Sequence, residues 1–303
     1  MQLTKPIQAS PGMSRAVAPW AGVNMRFGLL GACLLAISLA TAIFWWPASA
    51  AAEGADDPLG SPMWSEMKAQ FFANASFVFD DRVKVLVPSI VENQAQVPVT
   101  ADARALQDVR KLVVFADLNP IQHVLTLGVL KAEPFIAFRM KVEQGTPVRA
   151  AALTGDGVWH VGGVFLDAAG GGCSAPAMAR NDSDWTDTVG HAQGKLYREL
   201  DGSVRARFRL RHPMDTGLAR DNTPAYFIEK LDMRSDAGEQ LATLEIREPV
   251  SEDPTLTMVV RLPLQDAGLT ILGRDNHGEE YRSVIPAGWR QSAVGAAGAA
   301  AER

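Results

Sequence analysis

Only two cysteines, Cys33 and Cys173, occur in 303 residues, so no disulfide framework staples this chain. Aromatic residues are scarce at 7%, and acidic residues outnumber basic ones 34 to 29, which excludes the basic, aromatic-studded surface of a nucleic-acid binder. The five histidines, His123, His160, His191, His212 and His277, stand singly with no second ligand at metal-site spacing, so no metal is expected. The Lys and Ser/Thr of a phosphate loop are missing after the one glycine run, and no nucleophile sits in a strand-turn-helix elbow. No catalytic residue is therefore assigned, and the chain is read as not itself an enzyme.

One long apolar run is present, at residues 27–46. Lys5, Arg15 and Arg26 precede it with no acidic residue, and Pro47 and the small residues Ala48-Ser49-Ala50-Ala51-Ala52 follow it. That order is the order of a secretory signal over residues 1–50, cleaved near Ala50, and it implies export to the periplasm; an uncleaved anchor through 27–46 is the alternative. Of the 29 basic and 34 acidic residues, three basic and no acidic ones lie in 1–50, which leaves a net charge of −8 on the remainder. Cleavage also removes Cys33, and Cys173 is then a solitary thiol in an oxidising compartment.

The 26 glycines and 18 prolines suit short strands joined by turns. Ser61-Pro62 is expected to open a short helix, with Ser61 as its cap and with Met63, Met67 and Phe71 on one face. The pattern then changes to strands over 83–87, 109–115, 135–142, 148–153 and 158–165, separated by turn residues such as Asn119-Pro120 and Gly155-Asp156-Gly157, one antiparallel domain spanning 61–176. Periodicity disappears in a Gly-, Ala- and Ser-rich stretch, and 177–192 is read as a linker. A second domain over 193–290 has strands expected at 204–211, 226–233, 240–246, 255–262 and 269–273, and 291–303 reads as a disordered tail. In 204–211 the alternation is complete, with Val204, Ala206, Phe208 and Leu210 on one face and Arg205, Arg207, Arg209 and Arg211 on the other, a solvated face or a docking stripe for an acidic partner.

Gly170-Gly171-Gly172-Cys173 places the lone thiol after three residues of maximal backbone freedom. The expectation is an exposed, mobile thiol on a swinging arm with a mean reach of about 13 Å. Nothing adjacent would depress its pKa from about 8.5, so partner enzymes would have to load and unload it. A covalent carrier site, a mixed-disulfide adaptor and an inert thiol are the readings of Cys173 open at this level.

Pro88-Ser89-Ile90-Val91-Glu92-Asn93 with Val97-Pro98-Val99, Leu118-Asn119-Pro120 and Gly171-Gly172-Cys173 resembles SoxY, the thiol carrier of periplasmic sulfur oxidation. Arg211-His212-Pro213-Met214-Asp215-Thr216-Gly217, then Asp253-Pro254 and Asp275-Asn276-His277-Gly278, is similar to its partner subunit SoxZ. The resemblance covers roughly residues 64–286 and extends to fused SoxYZ-like carriers associated with quinoprotein dehydrogenases. It implies an all-β protein of two immunoglobulin-like antiparallel sandwiches, paired within one chain, with Cys173 bearing a covalent sulfur adduct and no other cofactor. The implied partners are periplasmic sulfur-oxidation-type enzymes, or a quinoprotein dehydrogenase or its cytochrome. Here Cys173 precedes a whole second domain, whereas a typical SoxY arm ends its chain.

Overall fold

Val204, Ala206, Phe208 and Leu210 are buried while Arg205, Arg207 and Arg209 face solvent, as a period of two requires of a strand with one face on a core. This computed structural model describes residues 57–288; the expected signal, the anchor alternative and the tail over 291–303 lie outside the described residues. Among the described residues no helix is long and apolar enough to cross a membrane.

The first half contains α1 (Trp64–Phe72), β1 (Phe77–Phe79), β2 (Lys84–Leu86), β3 (Val97–Asp102), β4 (Val109–Ala116), β5 (His123–Val129), β6 (Ala132–Met140), β7 (Thr146–Thr154) and β8 (Trp159–Leu166). The second half contains a 3₁₀ turn (Met178–Asn181), α2 (Trp185–Thr188), β9 (Ala192–Arg198), β10 (Val204–Leu210), β11 (Ile228–Arg234), β12 (Gln240–Ile246), β13 (Thr255–Val260), β14 (Gly268–Asp275) and β15 (Glu280–Pro286). The all-β class holds, with a short N-terminal helix. That helix begins later than expected: Met63 occupies the cap position, and the Ser61 hydroxyl accepts the Met63 N–H at 3.3 Å in a turn that precedes the helix.

Both sheets run through both halves. One has the order β1-β8-β7-β4-β5-β12-β11-β14-β15 and the other β2-β3-β6-β13-β10-β9. The halves meet where β5 pairs antiparallel with β12, placing Leu127 opposite Leu244, and where β6 pairs antiparallel with β13, placing Ile136 opposite Met258. Leu125, Leu127, Ile136 and Phe138 of the first half therefore lie in one buried cluster with Phe208, Leu231, Leu244 and Met258 of the second. The connection between the halves is thus much more than a linker. Residues 177–192 themselves fold into the 3₁₀ turn and α2 and lead into β9.

The outer faces of β4 and β7 are buried because α1 lies on them. Trp64, Met67 and Phe72 pack with Val113, Phe115, Ala151, Trp159 and Val161 in a second cluster, and Phe71 stacks on Phe115 at 4.4 Å between ring centroids. Arg149 of β7 points into this layer and is 1% exposed, its guanidinium 4.4 Å from the Trp64 ring. Its Nε donates to both Asp117 oxygens at 3.0 and 3.1 Å, and Nη2 donates to Asp57 Oδ2 at 2.7 Å. Removing one member of such a buried set leaves a charge without compensation. Asp117→Ala is expected to cost about 3–5 kcal/mol, read as a lower urea midpoint with unchanged slope; a loss under ~1 kcal/mol would show that Asp57 alone suffices.

Candidate functional site

After β8 the chain turns back across the loop that joins β6 to β7. Gly170 and Gly171 have φ of +98° and +88°, a region side chains disfavour. Gly171 N–H donates to the Glu143 carbonyl at 3.3 Å and Gly172 N–H to the Val142 carbonyl at 2.9 Å. A Cβ on Gly170 would lie 2.2 Å from the Glu143 carbonyl oxygen, and one on Gly172 would lie 2.1 Å from that of Gln94. These glycines allow a close backbone-to-backbone approach. The expectation of an exposed thiol on a mobile arm is corrected accordingly: Gly170, Gly171 and Gly172 are docked, and Cys173 is 0% exposed.

Groups from both halves hold the backbone at Cys173. From the first half, Glu143 Oε2 accepts the N–H groups of Cys173 and Ser174 at 3.0 and 3.1 Å, and its Oε1 accepts the Ser174 hydroxyl at 3.0 Å. From the second half, the Thr216 hydroxyl donates to the Cys173 carbonyl at 2.6 Å. Glu143 is held in turn by Asn119, whose Oδ1 accepts the Glu143 N–H at 3.0 Å and whose Nδ2 donates to the Lys141 carbonyl at 3.0 Å. Lys141, 4% exposed, donates from Nζ to the carbonyl of Met214.

Met214 and Thr216 belong to the run 211–217, which Asp253 shapes. Asp253 Oδ1 accepts the His212 N–H at 3.0 Å, and the Asp253 N–H donates to the His212 carbonyl at 2.8 Å. His212 Nδ1 accepts the Met214 N–H at 3.0 Å, which closes a turn with Met214 at a φ of +52°. The imidazole is 1% exposed, lies 4.4 Å from the Tyr226 ring, and is held by burial at a pKa of about 3, so it stays neutral. Asp215 receives Arg180 Nε at 2.9 Å, and Glu252 accepts the Ala179 N–H at 3.0 Å; both contacts tie the segment beyond Cys173 to the second half.

Burial pushes the Cys173 thiol up to about 12; the Glu143 charge adds to the rise and Lys141 opposes it. The ordinary thiol expected from the sequence is thus replaced by a protonated, shielded one. Burial also pulls Lys141 down to about 8, against the charges around it. Lys141, Glu143 and Thr216 are site residues that spacing did not single out. Thr216 lies in the quoted motif, whereas Lys141 falls inside the strand expected over 135–142, with nothing in the sequence to mark it. Because β6 stops at Met140, Lys141 turns inward.

The arginine stripe is mostly neutralised. Arg205 pairs with Glu199 at 2.8 Å, Arg209 with Asp253, and Arg211 with Asp253 at 2.9 Å and Asp182 at 2.6 Å. Arg207 is exposed and makes no ion pair with the described residues; the exposed Lys195 lies directly across from it. Of the stripe expected from 205–211, one free arginine remains. Among the described residues no three His, Cys, Asp or Glu side chains gather as metal ligands would.

Residues 68–173 match the family described as Sulfur oxidation protein SoxY, and residues 195–286 the family described as Sulphur oxidation protein SoxZ. No curated protein matches the chain. Among solved structures, the sulfur carrier protein SoxY from Chlorobium limicola f thiosulfatophilum is 20% identical, over 35% of this chain and 94% of that one, with a TM-score of 0.32. A beta-glycosidase from Bacteroides vulgatus is 8% identical over 68% of this chain and 25% of its own, with a TM-score of 0.19.

The shielded thiol has a direct consequence for its reactivity. Alkylation of Cys173 by iodoacetamide should run roughly 10³-fold below an ordinary cysteine at neutral pH, and should rise tenfold per pH unit from pH 7 to 10 without levelling, since a thiol held near 12 is still far from half-ionised there. Gly172→Ala, which cannot make the approach to Gln94, should speed it at least ~10-fold with the circular dichroism unchanged. A plateau near pH 8.5 in the unaltered protein would show the thiol to be exposed.

Proposed function

Because the chain belongs to the SoxY and SoxZ families, joined in that order on one polypeptide, we propose that it is a carrier that holds sulfur-containing intermediates covalently on Cys173 for partner enzymes. The observation that supports this most is the position of Cys173. It is the last residue of the SoxY match and the one cysteine among the described residues, and it is gripped through its backbone by both halves. A thiol kept protonated and covered is protected from adventitious oxidation between deliveries.

Loading requires the segment from Gly170 to Ser174 to lift. The contacts to be broken include three hydrogen bonds to the Glu143 carboxylate and one from Thr216, a cost on the order of 5 kcal/mol. A docking enzyme can meet that cost from its own interface, so the arm swings only in the partner's presence. Among the described residues no side chain hydrogen-bonds the Cys173 sulfur, so in this reading the chemistry belongs to the partners, enzymes of the sulfur-oxidation type, and the adduct is the one group carried. Residues 1–50 direct it to the periplasm in this reading.

A second reading is a docking module for an acidic redox partner such as a quinoprotein dehydrogenase or its cytochrome. The exposed pair Arg207 and Lys195 favours it. Intact mass of the protein purified without reductant, before and after thiol reduction and beside Cys173→Ser, separates the two. Sulfur-sized or thiosulfonate-sized additions absent from the variant are expected; a bare thiol under every growth condition, with partner binding lost in Arg207→Glu, would establish the docking module instead.

A further inference from the structure

Lys141 is a buried cation without an anion in contact. Its Nζ donates to a neutral carbonyl, that of Met214, and no carboxylate among the described residues forms an ion pair with it. Two of the carboxylates whose charge reaches it are committed elsewhere: Asp215 to Arg180, and Glu252 to Gln96 and the Ala179 N–H. Glu248 acts on it without forming an ion pair, and Glu143 is committed to the N–H groups of Cys173 and Ser174. Lys141 and Cys173 are held on one turn, Lys141 through Nζ on the Met214 carbonyl and Cys173 through its carbonyl on the Thr216 hydroxyl, while the Gly172 N–H bonds the Val142 carbonyl beside Lys141. The charge of each group acts on the other, and as a thiol Cys173 is neutral. An enclosed ammonium beside a neutral group is a costly arrangement, and it is relieved when the neighbour becomes an anion.

We propose that Lys141 is the counter-cation for a negatively charged sulfur adduct on Cys173, so that the closed site favours anionic over neutral cargo, a persulfide being the smallest such adduct. This rests on the carrier reading and adds to it the charge class of the cargo and the residue that selects it. A persulfide adds one sulfur atom to the side chain and is more acidic than the parent thiol, so it ionises where the thiol does not. A neutral disulfide of similar size places no charge near Lys141 and leaves the ammonium uncompensated.

The cargo can be installed chemically on the full chain. Cys173 is converted in mild urea to its mixed disulfide with nitrothiobenzoate, and the urea is removed. Hydrosulfide then attacks the Cys173 sulfur: the bond to the aryl sulfur breaks, a new sulfur–sulfur bond forms, and the electron pair leaves with the arylthiolate, the better leaving group. The product is the Cys173 persulfide, whose proton passes to solvent. Methyl methanethiosulfonate gives the neutral methyl disulfide for comparison.

In the unaltered protein the persulfide form should unfold at a urea midpoint higher than the methyl disulfide form, by roughly 0.5 M. Lys141→Met should erase that gap and Lys141→Arg should keep part of it. A gap that persists in Lys141→Met, or none in the unaltered protein, overturns the proposal; the second outcome decides it even if Lys141→Met does not fold. Because the adduct is made in vitro, a native protein found with a bare thiol would remove the carrier reading and leave this result standing, and failure here would leave the native adduct untouched.

Discussion

Two strand pairings hold the molecule together: β5 with β12 and β6 with β13. Each joins a strand of the first half to one of the second through backbone hydrogen bonds, so four strands that would be open edges in separate domains become interior. The side chains follow the backbone. Leu127 meets Leu244 and Ile136 meets Met258 because the register allows nothing else, and the core then runs without interruption from one half into the other. Fusion on one polypeptide keeps these edges at high effective concentration.

The thiol's environment is a product of that joint. Lys141 and Glu143 leave the end of β6 where it pairs with the second half, and the turn shaped by Asp253 arrives there from the other side with Met214 and Thr216. Cys173 is sealed between them. Charge is therefore concentrated at the place where the protein is driest, and the thiol and the ammonium are both displaced toward their neutral forms. A site with this balance responds to any change of charge on the sulfur.

β10, with one buried face, is the clearest strand in the sequence, and β8 and β11 to β14 fall close to their expected places; β4 and β7, covered on both faces, are legible as apolar runs bounded by turn residues. Those missed have physical reasons. Residues Val124, Leu125, Thr126 and Leu127 of β5 are all buried, and burial on both faces erases a period of two. β3 contains Pro98, tolerable because its neighbour β2 reaches only Thr100, Ala101 and Asp102 and leaves Pro98 unpaired on that side. β9 buries Leu196 as its one fully covered residue and so has no apolar face to detect.

Residue identity and order alone determined the all-β class, Cys173 as the one cysteine among the described residues, and the two-part kinship, because these depend on patterns local to a few positions. Burial of the thiol was decided by tertiary structure. Glycine gives a chain both freedom and the ability to approach another backbone closely, and which of the two Gly170, Gly171 and Gly172 express depends on Gln94, Val142 and Glu143, which lie far away in the sequence. The same holds for Arg205, Arg209 and Arg211, a basic stripe by alternation whose charge is spent on Glu199, Asp182 and Asp253 once the loops around it are folded.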